Sequence, residues 1–308
     1  MNKKLLLSLT LVITVIVGYR AMFKSSAHYH SPFFDDKGKP TEALKTVLAM
    51  GNVPHDGTRG QIVAQTQKLF MRPSNKERYQ IDDPLAHRRA EFEPLLNDLG
   101  LVGEVKPQQR SYDYALLNGG TVDTMRERLA YLCKLWNEGV QFKHLVLLSG
   151  ERPLFTDIET DEVLEGKHQQ LLSMRADWKF DTAKKPKTEM EALQMIYEQT
   201  QLPADFRKVP VITVSCPMKK DAQGVLRRPT TKDTYQQWMA MNPQPGSCLL
   251  ISTQPFVGYQ DVTARCVIPD TFKLETVGPD EHEKNGKISV MLDSLARWLY
   301  QESELLKA

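Results

Sequence analysis

Four short apolar runs in this chain each end in a small or polar loop that leads into a helix-like stretch. Each run is too short for a helix and largely apolar, as expected for a strand that is covered on both faces. Because strands that alternate with helices predict a parallel sheet, we expect a three-layer α/β fold with a mostly parallel sheet. The runs cover residues 114–118, 145–149, 211–215 and 249–252.

The same repeat predicts the position of a binding site. In a parallel sheet the loops at the carboxyl ends of the strands lie side by side, and ligands bind there. We therefore expect a site at this edge of the sheet, whatever its chemistry. The loops that follow the four runs begin at residues 119, 150, 216 and 253.

Composition and charge are those of an ordinary globular protein and do not indicate a nucleic-acid partner. The chain has 308 residues, of which 41% are hydrophobic and 25% charged, which is enough to bury a core without disulfides or metals. This length suggests one large domain, or one domain with a smaller elaboration. The net charge is +2, from 40 basic and 38 acidic residues, so nucleic acid is not implied as a partner.

The cysteine and histidine positions do not indicate a metal site. The four cysteines lie far apart, and we interpret them as small buried residues, with a disulfide as the alternative in an oxidising compartment. None of the seven histidines falls in a strand-end loop or has metal-ligand spacing, so a histidine mechanism has no support. These residues are Cys133, Cys216, Cys248, Cys266, His28, His30, His55, His87, His144, His168 and His282.

The amino terminus carries two lysines and then an apolar run at residues 5–17, which residues 21–23 extend. This is the length of a signal-peptide core or of a short signal anchor. We interpret residues 1–24 as an uncleaved anchor. The alternatives are a signal peptide cleaved near residues 25–27 and a buried helix of a cytosolic protein. The positive-inside rule then places the body outside the membrane.

The remainder divides into two regions. Residues 25–110 are rich in proline, and the helical patterns between the prolines predict a helical juxtamembrane extension that packs on the sheet domain. Residues 111–308 form the α/β domain. Within it lies a polar insertion at about 155–187, which we interpret either as a lid over the site or as surface decoration.

Capping residues and periodicity predict the helices and one further strand. In the extension the helices are expected at residues 41–50, 58–70 and 84–99. In the α/β domain, Thr124 opens a helix that ends near residue 138, Thr188 caps a helix at 189–199, and residues 272–277 alternate like an edge strand. The remaining helices are expected at residues 161–174, 231–241, 256–266 and 288–306.

Two strand-end loops carry the first candidate site residues. Gly119 and Gly120, followed by Thr121, would let a ligand approach the backbone closely, although a plain tight turn is the alternative. In the next loop, Ser149 is not in a G-x-S-x-G elbow, so a hydrolase nucleophile is not indicated. The rest of that loop could provide an acid and an anion clamp, or only a surface ion pair. It consists of Gly150, Glu151 and Arg152.

The third and fourth loops supply the remaining candidates. Arg228 lies beside a predicted helix start and could bind phosphate or carboxylate, whereas Thr231 and Asp233 could simply cap that helix. Gln254 offers an amide for hydrogen bonding but no acid–base capacity. The only plausible acid–base groups near these loops are Glu151, Glu189 and Asp233.

The order and spacing of these motifs over residues 112–277 resemble the SanA/YdcF-like family of bacterial envelope proteins. The resemblance rests on Gly119-Gly120 with Arg126 and Ala130, on Ser149-Gly150, on Thr188-Glu189-Met190, and on Thr230-Thr231-Lys232-Asp233-Thr234. The chain departs from the family pattern at two positions. Phe256 stands where the family has a histidine, and Tyr259 stands near its arginine.

The resemblance implies a Rossmann-like fold and a single-pass protein of the bacterial inner membrane with a periplasmic body. Members have been linked to envelope barrier function and cell-wall polymer metabolism, and one branch to S-adenosylmethionine binding. We therefore expect a chain held in the inner membrane by residues 5–23, whose strand-end site takes an anionic envelope metabolite. The alternatives are a hydrolytic or S-adenosylmethionine-dependent enzyme and a degenerate scaffold with an aromatic-filled pocket. No cofactor can be identified from the sequence.

Overall fold

The computed structural model describes residues 29–280 and 286–307 of the chain. The anchor expected at residues 1–24 and the candidate cleavage site lie outside these residues. Within the two described ranges, no helix is both long and apolar enough to cross a bilayer.

Five parallel strands form the central sheet, in the order β3-β2-β1-β6-β7. The parallel sheet predicted from the apolar runs is therefore confirmed. The chain order reverses between β1 and β6, which places a topological switch point at the middle of the sheet. Two short strands, β4 and β5, pair separately as an antiparallel hairpin. The strands are β1 Ser111–Asn118, β2 Gln141–Gly150, β3 Val211–Cys216, β4 Lys219–Lys220, β5 Leu226–Arg227, β6 Ser247–Ile251 and β7 Lys273–Val277.

Ten α-helices surround the sheet in the described part of the chain. They are α1 Glu42–Met50, α2 Arg59–Leu69, α3 Arg89–Asp98, α4 Val122–Asn137, α5 Asp161–Glu165, α6 Glu189–Gln199, α7 Ala204–Arg207, α8 Thr231–Met239, α9 Val257–Arg265 and α10 Ile288–Leu305. Single 3₁₀ turns are formed by Arg78–Gln80, Ala86–Arg88 and Thr182–Lys184.

Alternate residues of each central strand pack into different hydrophobic clusters. Leu117 of β1 packs with the buried faces of α4 and α6, whereas its neighbour Leu116 packs with α8 and α9. The same alternation separates Leu147 from Leu148 in β2. Because successive side chains of a strand face opposite sides, a sheet that buries both faces needs helices on both. The structure is therefore the three-layer, Rossmann-like α/β fold expected from the sequence.

The amino-terminal extension shares a third hydrophobic cluster with the end of the chain. Its aromatic and aliphatic residues pack against α9 and α10. Phe33, which is fully buried, meets Trp298 of α10 edge to face with ring centroids 4.8 Å apart. The carboxylate of Glu302 accepts hydrogen bonds from the hydroxyls of Tyr29 and Ser31. The extension is thus part of a core that spans both ends of the described chain.

Three helix boundaries differ from those predicted. The first helix of the α/β domain begins at Val122 with Thr121 in the N-cap position, not at Thr124. The helix predicted at 84–99 is a 3₁₀ turn followed by α3. The helix predicted at 161–174 stops after one turn, because Gly166 adopts a left-handed conformation (φ +78°) that ends α5. By contrast α6 spans the predicted residues, and Thr188 forms its capping box.

Candidate functional site

A cavity of about 600 Å³ lies at the carboxyl edge of the sheet, beside the switch point. The loops that follow β1, β2 and β6 line it, together with the residues that open α8. Two further walls come from outside the sheet, namely residues 72–79 of the extension and part of α10. The insertion after β2 contributes Phe155 and Ile158.

Most of the candidate residues predicted from the sequence line this cavity. They are Gly119, Gly120, Thr121, Ser149, Gly150, Arg152, Glu189, Arg228, Thr231 and Gln254. The structure thus brings together residues from four separate loops. Glu151 and Asp233 do not line it.

Glu151 lies on the outside of the sheet edge. Its backbone N–H donates to the carbonyl of Cys216 at 2.8 Å, so it continues the pairing of β2 with β3. Its exposed carboxylate accepts a hydrogen bond from the hydroxyl of Ser215 at 3.0 Å. Glu151 follows the last residue of β2, and its carboxylate is held by Ser215 away from the cavity that its neighbour Arg152 lines.

Asp233 caps α8. Its carboxylate accepts hydrogen bonds from the backbone N–H and the hydroxyl of Thr230, both at 2.7 Å, and it pairs with Lys219 and Arg227. Burial alone would raise the pKa of Asp233, but the hydrogen bonds from Lys219 and Thr230 outweigh it and hold the pKa well below its usual range. The structure therefore favours the capping alternative for this residue.

The glycines of the loops allow the loops to approach one another. A Cβ on Gly119 would lie 2.2 Å from the hydroxyl of Ser149 and 2.3 Å from a carboxylate oxygen of Glu189. A Cβ on Gly150 would lie 2.4 Å from the ring of Pro229. All three distances are shorter than any ordinary contact. Only glycine therefore fits at these two positions without a shift of the neighbouring residues.

A buried ion network joins the loop after β2 to the insertion and to α6. The guanidinium of Arg152 pairs with Glu159 at 3.0 Å and with Glu189 at 2.7 Å. Burial alone would lower the pKa of Arg152, but the hydrogen bonds and the charges of these two carboxylates raise it. Arg152 also lies 4.1 Å above the ring of Phe155. Glu159, which no sequence pattern indicates, is thus a central residue of this wall.

Both carboxylate oxygens of Glu189 are engaged. One accepts a hydrogen bond from the hydroxyl of Ser149 at 2.7 Å, and the other accepts from Nε of Arg152 at 2.7 Å. This arrangement fixes the orientation of Ser149 and Glu189 toward each other. Glu189 is therefore a positioned carboxylate rather than a group left open for a ligand.

The amino end of α4 already has an anionic partner. The carboxylate of Glu159 accepts a hydrogen bond from the backbone N–H of Val122 at 3.1 Å and from that of Phe155 at 2.6 Å. In doubly wound folds the helix after the first strand is a common position for a bound anion. Here a side chain of the protein occupies that position.

Arg128 places a cation at the floor of the cavity. It extends from α4 and is only 2% exposed. Its guanidinium donates to the carbonyl oxygens of Asn118, at 3.1 Å, and of Gly119. Among the described residues it forms no ion pair. Burial lowers the pKa of Arg128 to about 10, so the group remains charged at neutral pH.

Unpaired polar atoms occur on Arg128 and near the ends of β1 and β6. Nε of Arg128, Oδ1 of Asn118 and Oε1 of Gln254 are buried without a hydrogen-bond partner in the described structure. The amide nitrogen of Gln254 donates to the carbonyls of Gly100 and Gly103, which fixes the orientation of its amide. Such unsatisfied groups are rare in folded proteins, and they concentrate here at the ends of β1 and β6.

Four arginines on the outer wall share two carboxylates. Arg72 and Arg228 both approach one oxygen of Glu77, at 3.5 and 3.0 Å. In the second group Asp293 of α10 pairs with Arg78 at 3.3 Å and with Arg297 at 2.9 Å. We call these six residues the arginine cluster.

The aromatic residues lie on the wall and leave the cavity open. Phe256 and Tyr259 both line it. Arg78 lies 4.4 Å above the ring of Phe256. The aromatic filling expected of a degenerate scaffold is not observed at this position.

No group of three or more histidine, cysteine, aspartate or glutamate residues in the described ranges is arranged to hold a metal ion. All four cysteines are free thiols; Cys216 and Cys248 are buried, and Cys133 and Cys266 are half-buried. Burial raises the pKa of Cys133 to about 12, so this thiol is not a nucleophile at neutral pH.

Comparison with known proteins gives no match: no protein-family model, no curated protein and no solved structure is significantly similar to this chain.

Proposed function

We propose that the protein binds a small anionic molecule in the cavity at the carboxyl edge of its sheet. The volume of about 600 Å³ lies within the range of pockets that enclose small ligands. The position at a switch point is where ligands bind in folds of this kind. The lining residues include seven cations and five carboxylates, and three of the cations also pair with Glu159 or Asp293, which do not line the cavity. The cations are Arg72, Arg78, Arg128, Arg152, Arg228, Lys287 and Arg297, and the carboxylates are Asp123, Glu127, Glu189, Glu77 and Asp280.

The observation that carries the proposal is the buried guanidinium of Arg128. A buried charge is costly unless an opposite charge compensates it. The carboxylates of Glu127 and Glu189 favour the charged form of Arg128, but its hydrogen bonds in the described structure go only to neutral acceptors, and its Nε has no partner. An anionic ligand in the adjacent cavity would supply that compensation. A neutral or cationic ligand would not.

The test is calorimetric titration of the full chain with a panel of probes. UDP-N-acetylglucosamine, glucose 1-phosphate and glucuronate are anions, uridine is neutral, and S-adenosylmethionine carries a net positive charge. We expect binding of at least one anion and weaker binding of uridine. S-adenosylmethionine also tests the alternative of a methyl-transfer enzyme, and its preferential binding would contradict the proposal.

Two adjacent arginines provide matched variants. Arg228 lines the cavity, whereas Arg227 pairs with Asp233 outside it, and their side chains are similarly exposed, at 39% and 45%. Arg228→Ala should weaken anion binding about tenfold, because it removes a charged hydrogen-bond donor. Arg227→Ala should leave the affinity unchanged. Equal effects of the two substitutions would mean that the anion binds elsewhere.

In this proposal the site belongs to the cell envelope. Its support is the apolar run at residues 5–17 and the resemblance to envelope proteins, both read from the sequence. Residues 5–23 would hold the chain in the inner membrane with its body in the periplasm. The full chain should then stay with the membrane pellet after alkaline carbonate washing, and a chain lacking residues 1–24 should not. A full chain released by carbonate would contradict the anchor but not the ligand site.

A further inference from the structure

We propose that the arginine cluster is a subsite for a phosphate dianion and that Glu77 is a resident counterion, which the phosphate displaces. This inference rests on the proposed function, because it assigns a ligand class to one wall of the same cavity. The ligand would be a phosphate monoester or a diphosphate.

The charges of the cluster match a dianion. Four guanidiniums share the carboxylates of Glu77 and Asp293, which leaves a formal surplus of two positive charges among these described residues. Burial is the main reason that the pKa of Arg72 is lowered. The charge of Glu77 opposes this effect, while the neighbouring charges of Arg228 and Arg297 add to it. A phosphate monoester carries a charge of roughly −1.5 to −2 at neutral pH, whereas a carboxylate carries only one.

The donors of the cluster also suit phosphate. Guanidinium groups present planar pairs of N–H donors that bind phosphate oxygens in a bidentate manner. Nε of Arg72 is buried and has no hydrogen-bond partner in the described structure, and Arg72 approaches Glu77 only at 3.5 Å. The Nη1 of Arg72 donates to the carbonyl oxygen of Lys76, so the unmet donor of this guanidinium is Nε and its weakest contact is the one with Glu77. A tetrahedral anion between Arg72 and Arg228 would complete its hydrogen bonding.

The usual anion position of the fold is closed to the ligand. Glu159 already accepts from the first backbone N–H of α4 and is 5% exposed. A phosphate cannot share that position with a buried carboxylate, because the two negative charges would repel each other at short range. The surplus positive charge of the arginine cluster lies instead on the extension, on the loop before α8 and on α10.

Glu77, and not Asp293, is the displaceable carboxylate. The side chain of Asp293 is fully buried, pairs with Arg297 through both oxygens at 2.9 and 3.0 Å, and accepts from the backbone N–H of Arg72. The side chain of Glu77 is 28% exposed, contacts both arginines through a single oxygen, and takes part in the capping box of the 3₁₀ turn Arg78–Gln80. A ligand therefore needs to displace only Glu77, which is held more weakly than Asp293.

The experiment compares a phosphate with a carboxylate of similar size on the full chain. Glucose 1-phosphate should bind, and glucuronate should bind at least about tenfold more weakly, since it brings half the charge. Inorganic phosphate should compete with glucose 1-phosphate. Equal affinity for glucuronate, or no competition by inorganic phosphate, would overturn the assignment of phosphate. UDP-N-acetylglucosamine could bind although the chain shows neither a preference for glucose 1-phosphate over glucuronate nor competition by inorganic phosphate. That outcome would support the proposed function and contradict the phosphate subsite.

The variant Glu77→Gln separates the resident counterion from a merely structural residue. Because it removes the competing charge and keeps the shape, affinity for glucose 1-phosphate should rise roughly five- to tenfold. The control is Glu91→Gln, which also loses an ion pair of the extension, with Arg88 at 2.8 Å, but does not line the cavity. Unchanged or weakened binding in Glu77→Gln, with Arg228→Ala still weakening it, would show that Glu77 is not displaced.

A second arm distinguishes a soluble phosphate from a lipid phosphate. Vesicles of phosphatidylcholine with phosphatidic acid are compared with vesicles of phosphatidylcholine alone, for a chain that lacks residues 1–24. Binding to phosphatidic acid that Glu77→Gln strengthens and Arg228→Ala weakens assigns the subsite to a lipid headgroup. Binding of glucose 1-phosphate with no such vesicle binding assigns it to a soluble ester. Vesicle binding that neither variant alters would contradict a role of the cluster in lipid recognition.

Discussion

Arg152 and Glu159 form an ion pair of 3.0 Å in which both side chains are almost completely buried, with 6% and 1% exposure. The substitution Glu159→Ala leaves this guanidinium with Glu189 alone and removes the acceptor for the N–H of Val122. We expect a loss of about 3 kcal/mol in the free energy of unfolding, because the substitution breaks a buried ion pair and removes one of the two carboxylates that compensate a buried guanidinium. Urea denaturation measures this change in the free energy of unfolding. The exposed Glu162, substituted by alanine, is the control, and a similar small effect of both would refute the structural role of Glu159.

Two glycine-to-alanine substitutions should change stability in opposite directions. Gly119→Ala inserts a methyl group 2.2 Å from the Ser149 hydroxyl and should cost about 2 kcal/mol, as overpacking does. Gly60 lies within α2, and a methyl group added to it would meet no atom within 4 Å. Gly60→Ala should therefore stabilise the protein by about 0.5–1 kcal/mol through helix propensity. Thermal unfolding of both variants checks the signs; a neutral Gly119→Ala would mean that the loops after β1 and β2 separate easily.

Asp113 should contribute stability that acid removes. Hydrogen bonds from Lys143 and then from Ser247 lower the pKa of Asp113 to about 2. Because the folded-state pKa lies below the unfolded value of about 4, the contribution is fully present above pH of about 4 and is lost as the pH falls toward 2. The carboxylate is about one-third exposed, so solvent screening limits its contribution to the free energy of unfolding to about 1 kcal/mol.

The variant Asp113→Asn tests this pH dependence. Its free energy of unfolding should be lower than that of the native chain at neutral pH, and the two curves should converge between about pH 4 and pH 2. Asp36→Asn, at an exposed position, should follow the native curve throughout. A difference that stays constant with pH would show that the Asp113 charge does not contribute.

The extension should be inseparable from the rest of the molecule in unfolding. Phe33→Ala removes a fully buried ring that contacts Trp298 and should cost about 3–5 kcal/mol. Leu69→Ala, at a side chain that is 47% exposed, should cost much less. If tryptophan fluorescence and circular dichroism show one coincident transition for native chain and variant, the extension belongs to a single cooperative unit. Two separate transitions would contradict the shared core.

Local patterns are sufficient for the sheet and for part of the site. The strands can be predicted because buried parallel strands are short apolar runs, and α6 because Thr188 and Glu191 form a capping box. Loop residues such as Gly119 and Gln254 can be placed at one edge because parallel strands end on the same side. The position of the cavity therefore follows from connectivity alone.

The remaining site residues depend on contacts that no local pattern encodes. Arg72 and Asp293 meet across 221 residues of chain, and nothing near either residue indicates the other. Glu151 is expected at the site from its position in the loop, but its carboxylate bonds Ser215 outside the cavity, whereas its neighbour Arg152 lines the cavity. Asp233 is a candidate base by its chemistry, yet its spacing from Thr230 is also that of a capping box, which is the role that the structure gives it. The type of charge and the position after a strand therefore do not predict whether a residue lines the cavity, faces outward or caps a helix.

The wall formed by residues 72–79 and α10 affects when the cavity can be assembled during synthesis of the chain. During synthesis the extension leaves the ribosome early, whereas Asp293 and Arg297 follow more than two hundred residues later. Residues 111–277, which carry all the strands of the described sheet, are synthesised before α10. The arginine cluster is complete only once Arg297 has been added, so a ligand that depends on it, as proposed, would have no subsite on a nascent chain that stops before α10.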